Sequence, residues 1–220
     1  MNTSFIRIVA VICVAMLSIL NVNNALAGNY TWTGSANKDW NNSANWSPSG
    51  TPSTNDTVTI GAGSDTLLIA ANTTINRLVI SGRVVNLGGY QLEITQRASL
   101  NGGKIYNGTL KMIGTYAFFQ GTNTNCTIDC ISNQIKLSGG TFDGTGTFEQ
   151  NGTVNGWGDG GCVFNGAVTM KKSGTASFRL GGVNPDTFNA KATFICTNSG
   201  NLEISHASQS VFRDSIFLNT

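Results

Sequence analysis

The side chains able to do chemistry are few and dispersed. The 220 residues hold eleven carboxylates and one histidine, His206. Asp129, Asp143, Asp159 and Asp186 are the most evenly placed, but no two aspartates are adjacent. Cleaving a polysaccharide requires clustered carboxylates, often joined by Lys, Arg or His, on one face. The four aspartates meet that need only if the fold brings them into one groove. A Ser-His-Asp relay through His206 lacks a Gly-x-Ser-x-Gly elbow, and His206 follows Leu202-Glu203-Ile204 as a turn or outward residue. The run Gly156-Trp157-Gly158-Asp159-Gly160-Gly161 sets an indole and a carboxylate on a glycine-rich turn. It resembles a single imperfect copy of a calcium-binding nonapeptide, a motif that works only as stacked copies, so it reads as a turn. Trp157 and Asp159 are therefore candidate ligand contacts. No catalytic, cofactor-binding or metal-binding residue is assigned.

Cysteines leave several readings open. Cys13 lies in an apolar N-terminal run, and Cys126, Cys130, Cys162 and Cys196 follow. Four cysteines fit two disulfides in any of three connectivities. Cys126 and Cys130 have no second Cys pair or His at zinc-ligand spacing. Buried free thiols are the third reading.

The elements that must position these residues are announced first by composition. Charged residues make up 11%, well below the roughly 25% of typical globular chains. The chain holds 27 glycines and three prolines, and Asn and Thr are abundant. Thr favours strands, while Asn and Gly favour tight turns. Recurrent Val, Ile, Leu and Phe exclude a disordered chain. Many short strands joined by many turns are expected.

The N-terminus carries a basic Arg7, an apolar run from Ile8 to Leu20, and Ala25-Leu26-Ala27. This is the layout of a secretory signal cleaved after Ala27, and the apolar run is short for a membrane span. Removing residues 1–27 from 220 leaves 193, with 12 basic and 11 acidic side chains and a net charge of +1. That balance excludes a strong electrostatic case for nucleic acid. A secreted or outer-surface location is expected, with no membrane span after cleavage.

The C-terminal third repeats itself. Phe164, Phe188 and Phe212 are 24 residues apart, and Phe164-Asn-Gly-Ala-Val168-Thr-Met170 aligns with Phe188-Asn-Ala-Lys-Ala192-Thr-Phe194. Phe178-Arg179-Leu180 aligns with Leu202-Glu203-Ile204, and a looser copy begins at Phe142. Two alternating strands per 22–24 residues form a unit that cannot bury its apolar face alone. Stacking such units predicts a right-handed parallel β-helix, turning at Gly139-Gly140, Gly160-Gly161 and Gly181-Gly182. A β-sandwich is the alternative, although it needs no fixed repeat. Outward Thr57-x-Thr59 and Thr145-x-Thr147 could form a flat array facing an ordered surface, or serve simply as strand residues.

Tyr30-Thr-Trp32-Thr-Gly34 leads to Trp40, Asn45-Trp46, Pro48, Pro52, Asp56 and Val58-Thr-Ile60. Together with the Phe-Asn-x-x-x-Thr repeats, this resembles the start of secreted β-helical, adhesin-like surface proteins of the Bacteroidetes type. The resemblance implies surface display and repeat architecture, and no catalytic residues. Trp32, Trp40 and Trp46 read as a structural cap over the first coil, with sugar stacking as the alternative. The expected organisation is a signal peptide at 1–27, a Trp-rich cap at 28–60 and repeats at 61–220. The last repeat ends after one strand, so an incomplete stack is expected there, continuing into more β-helix of a longer chain. The expected function is a structural or adhesive surface module with a glycan or cell-surface partner. A carbohydrate-active β-helix enzyme and a non-catalytic glycan-binding module are the alternatives.

Overall fold

Alternating side chains, inward then outward, run through almost every strand of this protein. In Val168–Lys172, for example, Val168, Met170 and Lys172 are buried while Thr169 and Lys171 face outward. A two-residue period of this kind lets one face of a strand join a core while the other meets water. The structure, a computed structural model, describes residues 26–219. It is an all-β solenoid of about eight stacked parallel coils. The parallel registers between coils exclude the β-sandwich. The expected signal peptide falls largely outside the described residues.

Each coil has three faces. The first runs through Val58, Leu78, Ala98 and Ala117, paired in register. The second is aligned on Phe142, Phe164, Phe188 and Phe212. The third carries Phe148, Met170, Phe194 and Leu218. The two-strand unit expected from sequence is thus a three-strand coil. Phe164 and Val168 belong to different faces, because Asn165-Gly166-Ala167 turns the corner between them. An amide ladder holds that corner. The Asn189 Nδ2 donates to the Asn165 Oδ1 at 2.7 Å, and the Asn165 Nδ2 donates to the Asp143 Oδ1 at 2.7 Å.

Coil length is not constant. Val58 pairs with Leu78 and Leu78 with Ala98, a step of 20, whereas Ile128 pairs with Gly146, a step of 18. Gly146 pairs with Val168 and Val168 with Ala192, steps of 22 and 24. The longer coils extend their loops, and the paired core positions stay aligned. The corner between the first and second faces needs left-handed backbone, which glycine supplies at Gly139 and Gly160, with φ of 70° and 73°.

Aromatic side chains fill the C-terminal half of the core. Phe142, Phe164, Phe188 and Phe212 stack with ring centroids 4.7, 4.8 and 4.8 Å apart and nearly parallel planes. That spacing matches the rise between adjacent strands, so identical side chains at equivalent positions must stack.

At the other end, Trp32, Trp40 and Trp46 are buried together, with edge-to-face centroid distances of 4.9 and 4.8 Å to Trp46. The Trp46 indole donates to the Trp40 carbonyl at 2.7 Å. Asn45, fully buried, fixes the loop: its Oδ1 accepts from the Ala36 and Asn37 N–H groups, and its Nδ2 donates to Asn37 and Asp39. Trp46-Ser47 pairs antiparallel to the first strand, at the outer edge of the stack. The motif Asn45-Trp46 therefore has a packing explanation for both residues.

The four described cysteines are free thiols, three of them buried, which is the third of the readings left open by the sequence. Cys126 and Cys130 lie on one strand with both side chains in the core, and Cys162 is buried beneath a different face. Burial pushes the Cys126 thiol up to about 12, against a smaller opposing effect from a hydrogen bond with the Leu110 backbone. Burial, and secondarily Asp129 beside Cys130 and Asp186 beside Cys162, raises those two thiols as well. Thiolate formation is thereby suppressed. Alkylation of the native chain followed by peptide mapping should label the half-buried Cys196 first. Cys126, Cys130 and Cys162 should react only after denaturation.

Candidate functional site

Gly156 and Gly158 press a strand-like segment onto the coil beneath. A Cβ on Gly158 would lie 1.6 Å from the Leu137 carbonyl oxygen, so only glycine allows this approach. Trp157, between them, is turned outward and 47% exposed. It stands above Lys136, whose Nζ lies 4.2 Å from the indole centroid. Gly156 bridges to Phe178, which sets Trp157 beside Arg179 of the next coil. Trp157, Asp159, Arg179 and His206 line one groove of about 410 Å³, with the highly exposed Val183 at its side.

The far end of the groove is a hydrogen-bonded triad. The Arg179 Nε donates to the Glu203 Oε1 at 3.1 Å, and the His206 Nδ1 meets the Glu203 Oε2. Partial burial pushes the Glu203 carboxyl up, but hydrogen bonds from His206 and Arg179 outweigh it and hold the group below its ordinary value. Glu203 is thus a committed anion that orients Arg179 and His206. Such a groove presents an aromatic face, a guanidinium, a carboxylate and an imidazole to a polar ligand. Large aromatics with a wet edge suit ring stacking.

Trp157 and Asp159, singled out by sequence, share this groove. Arg179 and His206 also line it, Lys136 flanks it beneath Trp157, and Glu203 supports it behind Arg179 and His206; none of the four was assigned there. The signal for Arg179 and Glu203 lay in the repeat that aligns them. Lys136 had no such signal, because its coil precedes the regular repeats.

The four aspartates do not line one groove. Asp129 is on the third face, paired in register with Thr147. Asp143 sits at the corner ladder. Asp159 borders the groove. Asp186 is buried, where its two carboxylate oxygens accept from the Cys162 N–H at 2.8 Å and the Gly181 N–H at 2.7 Å. It ties two turns together. Among the described residues, no group of three His, Cys, Asp or Glu side chains is placed to hold a metal ion. No helix among them is long and apolar enough to cross a membrane.

The two threonine pairs differ. Thr147, Thr169 and Thr193 stand in register on the third face, and with Thr127 and Thr145 they line a shallow groove. Thr57 and Thr59 are followed by Arg77 and Val79 on the next coil, so no array continues there. Compared with known family models, curated proteins and solved structures, the chain matches none.

Proposed function

We propose that this chain is an exported, non-catalytic β-solenoid that serves as a structural and adhesive module at a bacterial surface and contacts glycan through the Trp157 groove. One observation carries the adhesive part: a half-exposed indole held between Lys136 and Arg179 on an otherwise rigid stack. Exposing such an indole costs burial free energy, and contact with a sugar ring recovers it. The stack supplies the structural part, because coils joined by continuous parallel ladders project a stiff rod. Trp32, Trp40 and Trp46 act as the plug that keeps the N-terminal edge from pairing with other strands.

The chain produced with its own N-terminus in a secreting bacterial host should yield a product whose first residue is Gly28, read by N-terminal sequencing. Product retaining Met1 would remove the export reading. On a panel of neutral and acidic polysaccharides, the chain should bind without releasing reducing ends. Trp157→Ala should weaken that binding roughly tenfold, on the scale of one lost aromatic contact, while leaving the unfolding midpoint unchanged. Release of reducing ends that disappears in Asp159→Asn would replace this reading with an enzymatic one.

A further inference from the structure

The first face carries a line of cations, three of which no carboxylate answers. Registers place Arg77 beside Arg97 and Arg97 beside Tyr116 on successive coils. The Arg97 guanidinium carbon lies 4.5 Å from the Tyr116 ring centroid. Lys136 Nζ lies 5.8 Å from the same ring and 4.2 Å from that of Trp157. Arg179 follows Trp157 on the next coil. The line is thus Arg77, Arg97, Tyr116, Lys136, Trp157, Arg179. It crosses five coil steps, roughly 24 Å at the usual strand spacing of about 4.8 Å.

Some of the charge elsewhere is paired. On the third face Lys111 meets Glu93 at 3.4 Å and Lys171 meets Glu149 at 3.0 Å. Among the described residues Arg77, Arg97 and Lys136 have no ion-pair partner, and the line's only acidic contact is Glu203 on Arg179, at its C-terminal end. Three cations without an ion-pair partner, Arg77, Arg97 and Lys136, thus share one face, whereas Lys38, Lys104, Lys191 and Arg213, also without one, are dispersed over other positions. From Arg97 onward, cations and aromatic rings alternate at about the spacing of successive coils. Flanking outward residues, Ser99 and Gln134 among them, add neutral hydrogen-bonding groups.

We propose that the first face binds an acidic polysaccharide, with Arg77, Arg97, Lys136 and Arg179 taking its carboxylates and Tyr116 and Trp157 stacking its sugar rings. This rests on the adhesive reading above and names its ligand class. An extended uronate chain along the coil axis presents one ring and one carboxylate per sugar, matching the alternation of ring and cation from Arg97 onward. A nucleic acid fits less well. Binding it through phosphates calls for about 6–10 contacts, whereas four cations lie on this line.

The test uses the full chain with polygalacturonate, dextran and a single-stranded oligonucleotide as probes in titration calorimetry at low and physiological salt. Polygalacturonate should bind and weaken with salt, and dextran should bind far less. The triple variant Arg77→Ala/Arg97→Ala/Lys136→Ala should lose roughly tenfold or more in affinity, as expected for three exposed charge contacts. The control Lys104→Ala/Lys111→Ala/Lys191→Ala removes the same charge from other positions and should stay close to wild type. These side chains are outside the core, and circular dichroism checks that both variants fold. Equal losses in the two triples, no polygalacturonate binding, or oligonucleotide binding as tight as polygalacturonate would overturn the proposal. Binding of dextran alone through Trp157 would overturn the acidic ligand and leave the adhesive reading standing. Cleavage of bound polygalacturonate would overturn the non-catalytic reading and leave the ligand class standing.

Discussion

Phe188→Ala should destabilise the solenoid by about 3–5 kcal/mol, the range for removing a buried phenyl ring from a packed core. Phe188 is fully buried between Phe164 and Phe212, 4.8 Å from each with planes 10° and 7° apart, and it meets Phe194 edge-on at 5.6 Å. Its loss breaks a continuous aromatic column, and the rings on either side are held by strand registers that resist collapse into the cavity. Coils on both sides lose contacts, so the effect should spread along the stack. Urea unfolding followed by circular dichroism measures it. Phe217→Ala, at a half-exposed ring on the third face, is the control and should shift stability by about 0.5 kcal/mol or less. Similar losses in the two variants would mean that the ladder is not the dominant packing feature.

Asp186→Ala has the second large expected effect, about 3 kcal/mol. It leaves the N–H groups of Cys162 and Gly181 buried without acceptors, and each orphaned donor costs about 1–3 kcal/mol. Asp186→Asn should cost less, since one amide oxygen still accepts while the amide NH₂ faces the second N–H. The wild-type group also imposes a pH dependence. Burial raises the Asp186 carboxyl above its ordinary value of 3.8, against opposing hydrogen bonds from Cys162 and Gly181. The folded state therefore binds this proton more tightly than the unfolded chain. The associated stability is fully present below 3.8 and is lost as pH rises through the folded value. Asp56 behaves oppositely. Burial raises its carboxyl, but hydrogen bonds from the Gly28 and Ser53 backbone and the Ser53 hydroxyl hold it below 3.8, so its contribution fades only in stronger acid. From neutral pH down toward 4, wild type should gain stability relative to Asp186→Asn. Urea midpoints of both chains across that range test the sign, and a wild-type loss relative to Asp186→Asn would refute it.

The repeat architecture was legible where coil length is constant. Phe164, Phe188 and Phe212 sit one coil apart, and the 24-residue spacing in the sequence is the step between coils. Upstream, the steps of 18 to 20 vary and the core residues change from Phe to Ile, Leu and Ala. Residues 61–135 consequently gave no clear period although they form the same fold. Three strands per coil were also hidden, because a corner such as Asn165-Gly166 interrupts a strand without interrupting the apolar pattern.

Of the candidate site, the sequence exposed the part that breaks local rules: a tryptophan and an aspartate set among glycines. It could not join Trp157 to Lys136 or Arg179, which lie about one coil away in each direction and meet it only through register. Nor could it separate Asp159, at the groove, from Asp186, buried as a tie between turns.

What the sequence determined by itself was the fold class, since alternating strands, glycine corners and a repeat too small to bury its own core leave stacking as the solution. What only the tertiary structure decided was which outward residues share a face. Outward positions carry no apolar signal, and their neighbours are set by the register between coils, which loop lengths adjust one coil at a time. That register gathers Arg77, Arg97, Tyr116, Lys136, Trp157 and Arg179 into one line and disperses the four aspartates.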